Sequence, residues 1–285
     1  MHEAGVMEGD EFAISVVADL LEERTGQKLT SNRRWRIGTA LAGLFREHGI
    51  QSIEQLVVQL TQPGQAGLAQ EVVEALLNNE TYFFRDRAMF DHLSQRIIPA
   101  VAAARADSKQ ISIWSVGCSS GQEVLSLAML FSEQRTRWDG WSIDILGTDV
   151  SSSVIDKARM GRYTHFEVQR GLGVSQMLNF FEETAQGWQT SDELLRMVRF
   201  ERHNLLETPP SPGRFDIVLC RNVLLYFDSE MREKAFDQIS RGMAPDGYLM
   251  LGAGETVVGH TNEFQPCAQN SGFYRGAKAG VIPAQ

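Results

Sequence analysis

The strongest constraint on this chain lies after Lys109, where strand-length runs alternate with helical segments. "ISIWSVG", "SIDILGTD", "MVRFERHN", "FDIVLC" and "GYLMLGAG" are rich in the apolar and β-branched residues that fit a pleated surface. Strands separated by helices pair as parallel neighbours, because a parallel pair needs a crossover long enough to hold a helix. The expected fold of residues 109–285 is therefore an α/β, doubly wound, mainly parallel Rossmann-like sheet. One stretch breaks the rhythm. "FEETAQGWQTSDELLRMVRFERHN" carries a Gly-Trp turn and two short strand-like runs, which predicts a small antiparallel β-subdomain at about residues 182–203.

Upstream the period is helical. Apolar residues recur at helix spacing in "FAISVVADLLEERTG", "WRIGTALAGLFREHG", "IEQLVVQL" and "AQEVVEALL", punctuated by Gly26, Gly49 and "QPGQAG". This predicts a small all-α N-terminal domain over residues 1–75 and a linker over 76–108 that holds "NNETYFFRD" and a long helix from about Arg87 to Arg105. With 285 residues, 43% of them apolar, the chain can bury a sizeable core. A net charge of −9 argues against a general nucleic-acid binder. No run of about 18 apolar residues is present to cross a bilayer, and "MHEAGVMEGDEF" lacks a signal-peptide pattern, so a cytoplasmic protein is expected. Cys118, Cys220 and Cys267 suit neither a disulfide framework nor a zinc site, and read as small buried residues. No metal is expected.

"ISIWSVGCSSGQEVLSLAM" is a strand, a turn of small residues and an amphipathic helix. Gly117 and Gly121 let the backbone pass close to a ligand, and Ser119 and Ser120 offer hydroxyls at the helix start. The spacing gives neither G-x-G-x-x-G nor the P-loop, which disfavours a dinucleotide or a triphosphate. The next strand ends in "LGTDVS", placing Asp149 where its carboxylate can accept both hydroxyls of a ribose. Capping of the helix near Ser152 is the competing reading of Asp149. A loose glycine turn with a ribose-binding acid points to S-adenosylmethionine; nicotinamide chemistry stays open without its glycine fingerprint. "FDIVLC" runs into "RNVLLYF", which brings Arg221, Asn222 and Tyr226 to the carboxyl edge of the sheet. The Asn-Pro-Pro-aromatic motif of base-amine methyltransferases is absent, and "TPPSP" precedes the strand.

With "NNETYFFRD", "GCSSGQEVLSLAM", "LGTDVS", "HNLLE" and "CRNVLLYFD" in that order, nearly the whole chain resembles the CheR family of S-adenosylmethionine-dependent chemoreceptor methyltransferases. The resemblance implies cofactor contacts at Asn79, Thr81, Arg85, Glu123, Asp149, Asn204, Leu205, Arg221 and Asn222. It implies transfer of a methyl group to receptor glutamates, giving methyl esters and S-adenosylhomocysteine. The family's first motif usually reads Cys-Ser-Thr-Gly-Glu-Glu-Pro-Tyr-Ser; here Ser120, Gln122, Val124 and Leu125 depart from it, while Glu123 and Ser126 are retained. A non-catalytic adaptor of the same fold is the alternative that these departures raise.

A glutamate is ionised at neutral pH, so the reaction needs placement and dehydration rather than a general base. Arg85 is expected to orient a carboxylate through its forked donors and Tyr226 to position the substrate or the methionine moiety. The plain alternatives are a salt bridge from Arg85 to Asp86 or Glu80, and a buried ring for Tyr226. Phe83 and Phe84 are expected to anchor the aromatic motif as a strap over the methyl donor; the orientation of Tyr82 stays open. "KLTSNRRWRIGTALAGLFRE" carries Lys28, Arg33, Arg34, Arg36 and Arg46 against Glu47, a basic face that the resemblance turns into a dock for acidic receptor helices. The short insertion has no Gly-Tyr-Gly loop, so action without a receptor pentapeptide tether is expected. A monomer is expected as well.

Overall fold

The computed structural model describes residues 2–30, 34, 36–211, 213–267 and 271–277, with side chains from residue 11 onward. Arg33 of the basic face lies outside them. The chain forms two compact units, Met1–Asn78 with Tyr226–Asp228, and Asn79–Leu225 with Ser229–Gln285.

The first unit is helical, with helices His2–Thr25, Arg36–His48, Ile53–Leu60 and Ala66–Leu76. In Arg36–His48 the spacing of Ile37, Leu41 and Leu44 makes one apolar stripe, and these residues join Val17, Leu56, Leu68 and Val72 in the core. The opposite face is polar, so Arg34, Arg36 and Arg46 stand exposed. Ser52 caps Ile53–Leu60 by accepting the Gln55 N–H at 3.3 Å. Segment Tyr226–Asp228 is held by this unit's own groups: the Lys28 N–H donates to the Tyr226 carbonyl at 2.9 Å, and Lys28 Nζ pairs with Asp228 at 2.8 Å.

The second unit opens with a helix, Arg87–His92, that passes through a π-turn, Leu93–Ile97, into Ile98–Ala104. Its strands are β1 (Gln110–Val116), β2 (Ser142–Asp149), β3 (Arg162–Tyr163), β4 (Phe181–Thr184), β5 (Gly187–Thr190), β6 (Val198–Arg202), β7 (Phe215–Cys220), β8 (Met243–Leu251), β9 (Phe264–Pro266) and β10 (Phe273–Gly276). Seven form the main sheet in the order β6-β2-β1-β7-β8-β10-β9. Pairing is parallel from β6 to β8, and β10 is antiparallel to both neighbours. The doubly wound, mainly parallel fold read from the sequence is thus present. β1 and β7 are buried along nearly their full length, which is why they read as unbroken apolar runs rather than as alternating ones. The strand order reverses between β1 and β7, and open α/β sheets bind ligands at the carboxyl ends of such a pair.

The antiparallel excursion sits differently from the expected 182–203. The small sheet is β3-β5-β4 and spans residues 162–190, whereas β6 pairs in parallel with β2 in the main sheet. β3 contributes only Arg162 and Tyr163, too short a run for alternation to reveal. No helix among the described residues is long and apolar enough to cross a membrane.

One charged residue inside β7 would be costly if unpaired. Asp216, 5% exposed, accepts the Ser112 N–H at 2.8 Å and Arg105 Nε at 2.7 Å, and Arg105 also holds Asp246 of β8 through two bonds of 2.8 and 2.6 Å. The hydrogen bonds from Arg105 hold the Asp246 carboxyl below the ordinary aspartate range. A lowered folded-state pKa gives stability that is present above the ordinary aspartate value near 3.9 and is lost as pH falls through the folded pKa. Arg105→Ala should therefore destabilise the second unit by about 3 kcal/mol at neutral pH in urea unfolding, because Asp216 is left buried without its partner. The variant should also lose part of the wild-type drop in unfolding midpoint below about pH 4.

Candidate functional site

At the carboxyl end of β1 the chain turns sharply through residues with positive φ: Gly117 at 66°, Ser119 at 50° and Gly121 at 93°. Gly121 caps the helix Gln122–Ser132, and a side-chain carbon there would press on the Phe200 ring and Ala158 at 3.0 and 3.1 Å. The turn is fixed from three directions. The Cys118 N–H donates to the Thr148 carbonyl at 2.9 Å, the buried Tyr163 hydroxyl donates to the Ser120 carbonyl at 2.7 Å, and the Ser119 N–H donates to Asp149 Oδ2 at 2.9 Å.

Asp149 ends β2 and is 8% exposed; its other oxygen accepts the Ser151 N–H at 3.0 Å. The helix cap at this point is Ser151, whose side chain accepts from the Val154 N–H, so the capping alternative for Asp149 gives way to a carboxylate held between two loops. Beyond β6, Asn204 closes a tight turn by accepting the Leu206 N–H at 3.0 Å, and Leu205 is buried.

Residues 79–86, the strap, are bound to the glycine turn and its helix through their backbone. Ser119 Oγ donates to the Asn79 carbonyl at 2.7 Å, and the Phe84 N–H donates to Ser126 Oγ at 2.9 Å. Phe83 and Phe84 are buried; Phe83 packs edge-on against Tyr163 at 5.1 Å and Phe181 at 5.4 Å, and Phe84 against Phe90 at 5.4 Å. These anchor the strap as expected. Gly171, at φ 99°, lies so close that a Cβ there would fall 1.8 Å from the Phe83 carbonyl oxygen. Asn79, Thr81, Tyr82 and Arg85 are half-buried. Arg85 forms neither salt bridge named as its alternative: Nη1 donates to the Glu80 carbonyl at 3.1 Å, and its guanidinium lies 5.6 Å from the Tyr82 ring centroid.

Arg221, directly after β7, has a side chain only 1% exposed. Its Nη1 donates to Glu123 at 2.9 Å, and its Nη2 donates to the Arg85 carbonyl at 2.8 Å and to Asp86 at 2.6 Å. The other Glu123 oxygen accepts from Ser115 Oγ at 2.9 Å. The side chains of Arg221 and Glu123 are therefore engaged in joining strap, helix and sheet. Asn222 follows at φ 61°, and its N–H donates to Glu255. Sequence reasoning missed Glu255. Its carboxylate accepts the N–H groups of Asn222, Val223, Leu224 and Gly252 at 2.8–3.0 Å, which fixes the loops after β7 and β8 together. A lone glutamate in "GAGETVVGH" carries no local signal of four backbone partners. Tyr226 belongs to the first unit, where its hydroxyl accepts Asn78 Nδ2 at 2.6 Å.

Burial pushes the Cys118 and Cys220 thiols well above their ordinary range, and both are free, so they are core residues rather than nucleophiles. No cluster of metal-ligating side chains occurs among the described residues.

Residues 79–273 match the family model described as "CheR methyltransferase, SAM binding domain". The chain belongs to the CheR methyltransferase family. It is 35% identical to the chemotaxis protein methyltransferase of Vibrio anguillarum over 256 residues, 89% of this chain and 92% of that one. It is likewise 35% identical to chemotaxis protein methyltransferase 1 of Pseudomonas aeruginosa over 262 residues, 90% of this chain and 95% of that one. As a CheR protein it is an S-adenosylmethionine-dependent methyltransferase of the chemotaxis type. The donor set suits this cofactor: an immobilised carboxylate at the end of β2, a glycine turn at the switch point, and the buried Nε of Arg221 as an N–H without a partner among the described residues.

Arg221→Met should destabilise the second unit by about 3 kcal/mol, because Glu123 and Asp86 lose their counter-charge. Binding of S-adenosylhomocysteine, measured by calorimetry, should weaken with it. Arg221→Lys should not restore either property, since a point charge cannot span three acceptors.

Proposed function

We propose that the protein methylates glutamate side chains on the cytoplasmic helices of chemoreceptors, producing γ-glutamyl methyl esters, and that it acts in the cytoplasm. The observation that carries this reading is the family match over residues 79–273, which contains both the strap and the sheet edge on which it is fastened. Bound S-adenosylmethionine supplies an activated methyl group, which joins a carboxylate oxygen as the carbon–sulfur bond breaks and leaves S-adenosylhomocysteine.

The protein's own part is binding and placement. Asp149 accepts the ribose hydroxyls, and Asn79, Thr81, Arg85, Asn204, Leu205 and Asn222 line the remainder of the cofactor site. Arg221 and Glu123 hold the strap against the helix that carries Ser126. Arg85 orients a carboxylate through its fork of donors, and Tyr226 positions the incoming substrate. No residue moves a proton, because a glutamate is already ionised at neutral pH. That economy agrees with a site whose cysteines are buried thiols.

The departures from the family's first motif support an intact enzyme rather than an adaptor. Val124 and Leu125 are fully buried, and Gln122 is 1% exposed, so the substitutions change packing behind the helix. The retained Ser126 keeps its bond to the strap. For substrate docking, Arg34, Arg36 and Arg46 offer exposed positive charge to acidic receptor helices. The edge strand β4 presents exposed Glu182 and Glu183, which would repel the terminal carboxylate of a receptor pentapeptide; this supports action without that tether.

Incubation with methyl-tritiated S-adenosylmethionine and a receptor cytoplasmic fragment should give label that is released by mild base, as a carboxyl ester is; base-stable label would overturn the glutamate assignment. Arg85→Ala should lower transfer at least about 100-fold while leaving the unfolding midpoint near the wild-type value, consistent with loss of an orienting contact. Full activity of that variant would remove Arg85 from the mechanism.

A further inference from the structure

A second cation stands on the strap beside Arg85. The guanidinium of Arg170 lies 4.2 Å from the centroid of the Tyr82 ring, to which Arg85 is also near at 5.6 Å. Tyr82 is thus half-buried under arginine. Arg170 Nη2 donates to Glu80 Oε1 at 2.7 Å, and Arg85 donates to the Glu80 carbonyl. Two guanidinium groups therefore stand around Tyr82 beside one carboxylate, that of Glu80, which is bonded by Arg170 alone; this is a local excess of positive charge in a chain of net charge −9. Hydrogen bonding from Arg170, with the nearby charge of Arg85, holds the Glu80 carboxyl below its ordinary range.

The position of Arg170 is set by backbone rather than by chance. The next residue is Gly171, whose Cα approaches the Phe83 carbonyl so closely that no side chain fits, and the Arg170 N–H donates to the Phe166 carbonyl at 3.2 Å. Phe166 is 73% exposed one helical turn before Arg170. An exposed aromatic ring, a fixed arginine and a surplus cation match one kind of partner, an amphipathic helix that carries carboxylates along its apolar stripe.

We infer that Arg170, seated on Tyr82, is a docking subsite for an acidic side chain that flanks the methyl-accepting glutamate of the receptor helix, and that Glu80 holds this place until the substrate arrives. This rests on the receptor-glutamate reading above. A flanking acid suits Arg170 better than the acceptor does, because Arg85 already supplies the orienting fork and Arg170 is reached by exchange with Glu80 on the Tyr82 ring. Exchange is easy. The Arg170–Glu80 pair is 41% and 53% exposed, and an ion pair in that setting contributes little, so an incoming carboxylate can replace Glu80 at small cost.

The test uses the full-length protein, a purified receptor cytoplasmic fragment, and the same fragment with the acids flanking its methylation site changed to glutamine. Arg170→Ala should raise KM for the native fragment about tenfold with kcat within about twofold, and Glu80→Gln should lower KM about threefold. The glutamine fragment should bind wild type about tenfold more weakly and bind Arg170→Ala no more weakly still, the non-additivity expected of groups in contact. Arg135→Ala, which removes an equal charge elsewhere on this unit, should leave KM unchanged. Affinity of each variant for S-adenosylhomocysteine should match wild type. Dissociation constants of both fragments for the S-adenosylhomocysteine-loaded protein are measured alongside, so that absence of methyl transfer counts against the proposed reaction while the affinities still decide the subsite. Equal affinities of wild type and Arg170→Ala for the native fragment, or additive losses in the cycle, would overturn the inference.

Discussion

The second unit depends on a buried guanidinium. Arg221 emerges from the end of β7 into a space where its charge is almost wholly removed from water, a placement that is stable only if acceptors surround it. Those acceptors come from two separate pieces of chain: Glu123 on the helix after the glycine turn, and the strap, which offers the carbonyl of Arg85 and the carboxylate of Asp86. A sheet edge, a helix start and the strap are thereby tied at one point. The strap's Phe83 and Phe84 are buried, and its backbone accepts a hydrogen bond from Ser119 and donates one to Ser126.

Glu255 plays the complementary part on the other side of the switch point. Four backbone N–H groups converge on its carboxylate, so the loop that begins with Asn222 is shaped by a negative charge as the strap is shaped by a positive one. Methyl transfer by in-line displacement asks for this kind of rigid placement. Arg221 and Glu255 accordingly hold backbone in position, and the thiols of Cys118 and Cys220 lie in the core, while Cys267 is partly buried.

Much of this was legible beforehand because it is local. The alternation of apolar runs and helical segments specified a parallel sheet, and "SVGCSSGQEV" specified the strand, turn and helix that place Gly121 and Asp149. The buried pair Phe83 and Phe84 followed from three aromatic residues in a polar setting. Other features were hidden. β3 is two residues long, so the small sheet began earlier than any alternation could show, and β6 lay within the stretch that resembled the insertion. Arg221 reads in sequence as a residue that reaches a ligand; that its Nη1 and Nη2 also bind strap and helix residues up to 136 positions away is shown by no local pattern.

Taken alone, the sequence determined the fold class, the glycine turn with its acid at the next strand end, and the family, because each is written in neighbouring residues whose spacing carries the physics. The tertiary structure decided which of the candidate polar residues hold distant segments together. Glu255, Gly171 and Arg170 acquired their roles only when distant segments met. The reason is the same for all three: a carboxylate with four backbone partners, a glycine against a carbonyl and an arginine on a tyrosine ring are relations between segments, and no pattern within one segment encodes them.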